Sequence, residues 1–139
     1  MLPLKLVLDT NVLVSGLINP DGLERSCLTF ALTKPAVWFL SSEIIAEYQD
    51  VLNRPKLKLN RKHIDELMSL TKTRGVLVTP KIPIDICLDS KDNKFLECAA
   101  ERGADYLVTG NKKHFPRFWG NTKIINAREF FEAVAFLLN

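Results

Sequence analysis

The sequence predicts an α/β protein built on a mainly parallel sheet covered on both faces. Three observations carry this. Short apolar runs of strand length recur through the chain, and they are apolar at consecutive positions, as strands buried on both faces are. Segments with helical spacing and helix-end signals alternate with them. The chain has 139 residues, 47% of them hydrophobic and 25% charged, enough for one domain, 1–139, with a real core.

The elements follow in order. Lys5–Leu8 (KLVL) is the first strand, and a helical stretch comes after Asp9. Asn19–Gly22 (NPDG) has turn residues in every position, and Leu23–Leu32 (LERSCLTFAL) reads as a second helix. Val37–Leu40 (VWFL) is a strand. Ser41 and Ser42 then offer an N-cap for a helix through Ile44, Ile45, Tyr48, Val51 and Leu52, which Arg54-Pro55 ends. His63–Thr73 is a helix and Gly75–Val78 a strand. Asp89–Arg102 is a helix closed by Gly103 at the C′ position. Tyr106–Val108 and Lys123–Ile125 are strands, and Ala127–Leu138 is the last helix.

Composition excludes some classes. Lys plus Arg number 19 and Asp plus Glu 16, a net charge of +3, which is compatible with a nucleic-acid partner without arguing for one. Cys27, Cys87 and Cys98 are odd in number and form no CxxC pair, so neither a disulfide framework nor a zinc site is suggested, and a reducing, cytoplasmic setting is expected. No apolar stretch is long enough to cross a bilayer. MLPLKLVLDTN lacks a cationic start and Asp9 breaks its apolar run, so no secretory signal is read.

In a parallel sheet, sites form at the carboxyl ends of the strands. Asp9 directly follows the first strand; it suits a helix cap as well as a ligand. At about 100° per residue, Glu47 falls on the border of its helix's apolar arc, whereas Glu43 and Asp50 point outward. A helix Glu is more often a surface charge. Asp92 lies on the stripe of Phe95, Leu96 and Ala99, where the helix dipole favours an acid in the first turn. Asp89 or Ser90 already suffices as that helix's cap. Thr109-Gly110-Asn111 follows the strand YLV, with Gly110 allowing a tight turn and Asn111 standing where another acid fits. Together, Asp9, Glu47, Asp92 and Asn111 should converge on one cleft. With no Lys or Arg partner read within these motifs, three carboxylates would repel one another. A hard divalent cation, Mg²⁺ or Mn²⁺, resolves that repulsion and is commonly shared with phosphate groups.

LDTNVLVSGL, SSEIIAEYQDVLNRPK, DSKDNKFLECAAERGADYLVTGN and KKHFP, in this order, resemble the PIN-domain ribonucleases, most closely the branch of toxins from prokaryotic toxin–antitoxin pairs. The resemblance runs from Lys5 to about Phe130. It implies a three-layer α/β/α sandwich on a central, mainly parallel sheet. It places the family's acidic cluster on Asp9, Glu47 and Asp92, as ligands of Mg²⁺ or Mn²⁺. The fourth position, often Asp in the family, is Asn111 here, an uncharged departure bearing on metal affinity and on a second metal site. Asn11 and Thr109 match supporting positions. Asp89 is a secondary acid, and Asp105 precedes its strand, at the wrong end for the cleft.

What the resemblance implies is a metal-dependent endoribonuclease cleaving single-stranded RNA, with no side-chain nucleophile required and none evident. Lys112, Lys113 and His114 beside the site are candidate RNA-backbone contacts. So is Arg54, within the basic stretch Asn53–His63 (NRPKLKLNRKH), set near the rim of the cleft. The expected partners are RNA, a small antitoxin and a second copy of the chain, with Phe115–Trp119 and the last helix as possible contact surfaces, and no membrane. The alternative is a catalytically weak PIN-like module that binds RNA or a protein. A haloacid-dehalogenase-type phosphatase also places an Asp after its first strand, but it needs a second Asp two residues on, where this chain has Asn11.

Overall fold

The computed structural model describes residues 3–138, with side chains through 136. The sheet has six strands in the order β3-β2-β1-β4-β6-β5. They are β1 (Lys5–Leu8), β2 (Val37–Leu40), β3 (Val76–Leu77), β4 (Tyr106–Val108), β5 (Phe118–Trp119) and β6 (Thr122–Ile125). All neighbours are parallel except β5, which pairs antiparallel with β6. The helices are α1 (Thr10–Ile18), α2 (Leu23–Leu32), α3 (Ser42–Leu52), α4 (Arg61–Arg74), α5 (Asn93–Arg102) and α6 (Ala127–Leu138).

Leu6, Val7 and Leu8 are all buried, so β1 is covered on both faces. One cover is α5, which packs over β1, β4 and β2. The other is the layer of α2, α4 and α6, which meets the sheet at β2 and β4. Phe130 fastens α6 by edge-on contacts with Phe30 at 5.1 Å and Tyr106 at 6.0 Å between ring centroids. This is the α/β sandwich expected.

Several boundaries fall where the sequence sets them. Ser41 caps α3, its hydroxyl accepting from the Ile44 N–H at 3.2 Å. Gly103 ends α5 with φ of +64°, a conformation that costs a side chain but not glycine. Three differ. The strand read at Gly75–Val78 is only Val76–Leu77. The helix read from Asp89 begins as a 3-10 turn over Ser90–Asp92 and becomes α-helical at Asn93. Strand β5 was not read at all. Its hairpin turns on Gly120 and Asn121, with Gly120 at φ of +58°.

Candidate active site

In the strand order, β1 leads outward to β2 and β3, and the chain then crosses back to β4 on β1's other side. The carboxyl ends of β1 and β4 therefore flank the topological switch point, where α/β sheets open a crevice. Asp9 follows β1 and Thr109 follows β4.

Asp9 is 6% exposed, and its partners are neutral. Its Oδ2 accepts from the Thr109 hydroxyl at 2.7 Å and from Asn11 Nδ2 at 3.2 Å. Burial pushes its carboxyl up to about 6, the Thr109 hydrogen bond opposes this, and the nearby charges of Asp92 and Glu47 add to it. Asn11 also works across the strands, since its Oδ1 accepts from the Gly110 N–H at 3.0 Å. Thr109 Oγ1 in turn accepts from the Asn111 N–H at 2.9 Å. The chain bends at Gly110 without a positive φ, and Gly110 contributes an N–H to the loop.

Glu47 sits in the middle of α3, turned inward as its helical position foretells, while Glu43 and Asp50 are exposed. Its Oε2 accepts from the buried Thr10 hydroxyl. Its Oε1 lies 2.6 Å from Lys94 Nζ, with the two side chains only 16% and 20% exposed. This corrects the reading of an acid cluster without a cationic partner. Lys94 is two residues beyond Asp92, in the first turn of α5, and it reaches back across the cleft. The next residue on α3, Tyr48, is fully buried and donates to the Leu8 carbonyl at 2.5 Å, tying α3 to the end of β1 just before Asp9. Burial holds the Tyr48 phenol well above its usual range, so it stays a donor.

Asp92 is half-buried at the junction of the 3-10 turn and α5, and its side chain caps nothing. Asp89 does the capping, accepting from the Lys91 N–H at 2.9 Å. Asp92 Oδ2 lies 3.4 Å from His114 Nδ1. Burial raises the Asp92 carboxyl, Asp89 and Glu47 raise it further, and His114 pulls it down.

The remaining candidates separate. Asn111 is exposed, and its side chain makes no cap to the 3-10 turn that follows. Lys112 is 2.7 Å from Glu129, which also closes a reciprocal cap with Asn126 at the start of α6. Lys113 is exposed and has no ion pair among the described residues. Arg54 is not brought to the acids. Helix α3 starts at their edge of the sheet and leads away, placing Arg54 about 10 Å beyond Glu47 along the axis, bound to Asp50 at 3.2 Å. Asp105 accepts from the Lys5 N–H at 2.8 Å, at the opposite edge, as read.

Sequence reasoning passed over Thr10, Tyr48 and Lys94. Thr10 had a signal, standing between Asp9 and Asn11. Lys94 had none, because a helix lysine is ordinarily solvated. Among the described residues, no three His, Cys, Asp or Glu side chains stand close enough to hold one ion in this conformation, since Glu47 is turned to Lys94 and Asp92 toward His114.

A family model described as PIN domain matches residues 5–113. The uncharacterized protein MJ1680 of Methanocaldococcus jannaschii is 32% identical over 112 residues, which cover 78% of this chain and 72% of that protein. The fold is similar to that in the crystal structure of VapBC2 from Rickettsia felis bound to a DNA fragment from their promoter. The TM-score is 0.60 and the identity 18%, over 88% of this chain and 98% of that one. No helix among the described residues is long and apolar enough to cross a membrane. The family match spans most of the chain and takes in Asp9, Glu47 and Asp92, and the chain belongs to the PIN-domain family.

Proposed function

We propose that this chain is a divalent-cation-dependent endoribonuclease that cleaves single-stranded RNA and serves as the toxin of a toxin–antitoxin pair. The observation that carries the nuclease reading is the state of Asp9. It is a buried carboxylate with only neutral hydrogen-bond donors, raised to about 6 by burial and by two neighbouring acids. A cation among these oxygens would relieve what burial and repulsion cost. The donor set, all carboxylate oxygen, is that of a hard cation such as Mg²⁺ or Mn²⁺.

Asp9, Glu47 and Asp92 are the residues that would hold it. When bound, it supplies charge stabilisation at a phosphoryl oxygen and a more acidic water. The chain's own residues do the positioning. Thr109 fixes the Asp9 carboxylate from the β4 side and Asn11 from the start of α1, and Tyr48 fixes the backbone that carries it. Thr10 and Lys94 orient Glu47, and Lys94 neutralises it when no other cation is present. His114 faces Asp92 from the loop that leads out of the site, where it can meet a phosphate. The antitoxin part rests on the structural neighbour, described as the VapBC2 pair bound to promoter DNA.

The test is cleavage of single-stranded RNA by the purified chain with Mn²⁺, with EDTA, and by an Asp9→Asn/Asp92→Asn double variant. Cleavage is expected only in the first case. Full cleavage by the double variant sinks the assignment. The second reading, a weakly catalytic binding module, is favoured by the uncharged, exposed Asn111 and by Lys94 on Glu47. Calorimetry separates the two, since the module predicts no binding at millimolar Mn²⁺.

A further inference from the structure

A groove of about 750 Å³ runs along the β5–β6 hairpin, away from the acids. Its lining includes Lys112, Pro116, Arg117, Phe118, Lys123 and Glu129. Lys112, one of its lining residues, directly follows Asn111 in the chain, while Phe118 and Lys123 lie in register with Tyr106 at the start of β4. Glu129, an acid in this lining, is already taken up by Lys112 at 2.7 Å and by the Asn126 cap. Arg117 and Lys123 are exposed and have no ion pair among the described residues.

The hairpin sets an aromatic ring beside these cations. Phe118 and Lys123 are direct cross-strand partners, so their side chains share one face of the ribbon. Phe118 is 66% exposed. Its backbone is nonetheless held, because the strands pair and the Ile124 N–H donates to the Arg117 carbonyl at 3.1 Å. A solvent-facing ring on a paired strand, in a groove that two uncompensated cations also line, is poorly explained as packing. It suits a chain of alternating flat bases and phosphates, with a base on the ring and phosphates on the cations. A duplex has no unstacked base to offer the ring, so the chemistry favours a single strand.

We infer that this groove is a second binding subsite for single-stranded RNA, with one base stacked on Phe118 and the flanking phosphates on Arg117 and Lys123. From strand spacing and register, Phe118 lies roughly 17 Å from the end of β1, so the subsite holds the strand at a distance from the acids. The inference rests on the proposed function in one respect, that the ligand is single-stranded RNA.

The test measures affinity in EDTA for a labelled oligouridylate of about twelve nucleotides, a length within single-strand site sizes. Phe118→Ala should weaken binding at least about fivefold, and Phe118→Tyr should restore it. Arg117→Ala/Lys123→Ala should weaken it and lower the logarithmic salt slope by about 1.4. Lys72→Ala, a change of charge on α4, should leave both unchanged. Equal loss in Lys72→Ala, or wild-type affinity in the Phe118 and the Arg117/Lys123 variants, overturns the subsite. So does tighter, Phe118-dependent binding of oligoglutamate, which would assign the groove to an acidic protein segment. The nuclease reading is scored separately, by cleavage with Mn²⁺. Groove-dependent binding without wild-type cleavage leaves the subsite standing and removes the nuclease. Cleavage with unaltered binding in the groove variants does the reverse.

Discussion

Asp9 and Glu47 are carboxylates of the same cleft, and the fold treats them oppositely. Asp9 is deeply buried and receives only a hydroxyl and an amide, so its negative charge is left uncompensated. Glu47 is less buried and receives a full cation from Lys94. The first arrangement costs stability whenever Asp9 is ionised; the second is neutral without any added ion. Stability is given up at the buried end of the site and balanced at its rim. That difference is the physical ground for expecting a cation to seek Asp9 first and to compete with Lys94 for Glu47.

The largest expected effect is on activity. Asp9→Asn should lower RNA cleavage by at least about 10²-fold, the scale of several kcal/mol of charge stabilisation. The same variant should be more stable than the parent in EDTA at pH 8, an outcome opposite to that of an ordinary core substitution. If denaturant midpoints show Asp9→Asn to be less stable there, the carboxylate is better compensated than its surroundings indicate.

The next effect is the pH dependence of stability without metal. The folded value for Asp9 is about 6, above the 3.8 of an unperturbed Asp. Between the two, the folded chain keeps a proton that the unfolded chain has lost, so stability falls as pH rises from about 4 to 6. The loss reaches about 3 kcal/mol above that window, and Asp92, also raised, adds in the same direction. Urea melts in EDTA across this range should show the slope in the parent and a reduced one in Asp9→Asn.

Lys94→Met tests the other half of the comparison. It leaves Glu47 without its cation, and destabilisation of about 1–3 kcal/mol is expected in EDTA. Mn²⁺ should bind more tightly than in the parent, as calorimetry would read. Unchanged Mn²⁺ affinity would mean that Lys94 and the ion do not compete. Thr109→Val removes the shortest hydrogen bond to Asp9 and an acceptor for the Asn111 N–H. A loss of about 1–2 kcal/mol at pH 7 is expected, shrinking as pH falls below about 6, where Asp9 becomes protonated in the folded chain and no longer offers Thr109 a charged acceptor. The smallest effect is that of Asn111→Asp. Its side chain is exposed, so stability should move by less than about 0.5 kcal/mol, with a modest gain in Mn²⁺ affinity.

How much could be read in advance varied along the chain. KLVL, VWFL and LERSCLTFAL became elements with the boundaries their residues mark, because a doubly buried strand shows as a continuous apolar run and an amphipathic helix as a period. Strand β5 escaped because FW is too short to show a period, though the Gly-Asn pair after it is a hairpin signal that went unused. Asp89 looked like a cap and is one; it caps a 3-10 turn, and α5 starts only after Asp92. The inward aim of Glu47 was legible from helical spacing alone. Arg54 lies farther along α3 than Glu47, because direction along the helix, not charge, decides which end of the sheet it approaches.

The sequence by itself determined the alternation of strand and helix, the acids that follow or face the strand ends, and Asn111 as the uncharged corner. These are local properties, set by period, caps and residue type. Only the tertiary structure decided which groups lie opposite those acids. Lys94 reaches Glu47 from another helix, Thr109 reaches Asp9 across the switch point, and Phe118 stands against Lys123 across a hairpin. Electrostatics acts through space, and a carboxylate's state is set by what folding brings within a few ångströms of it.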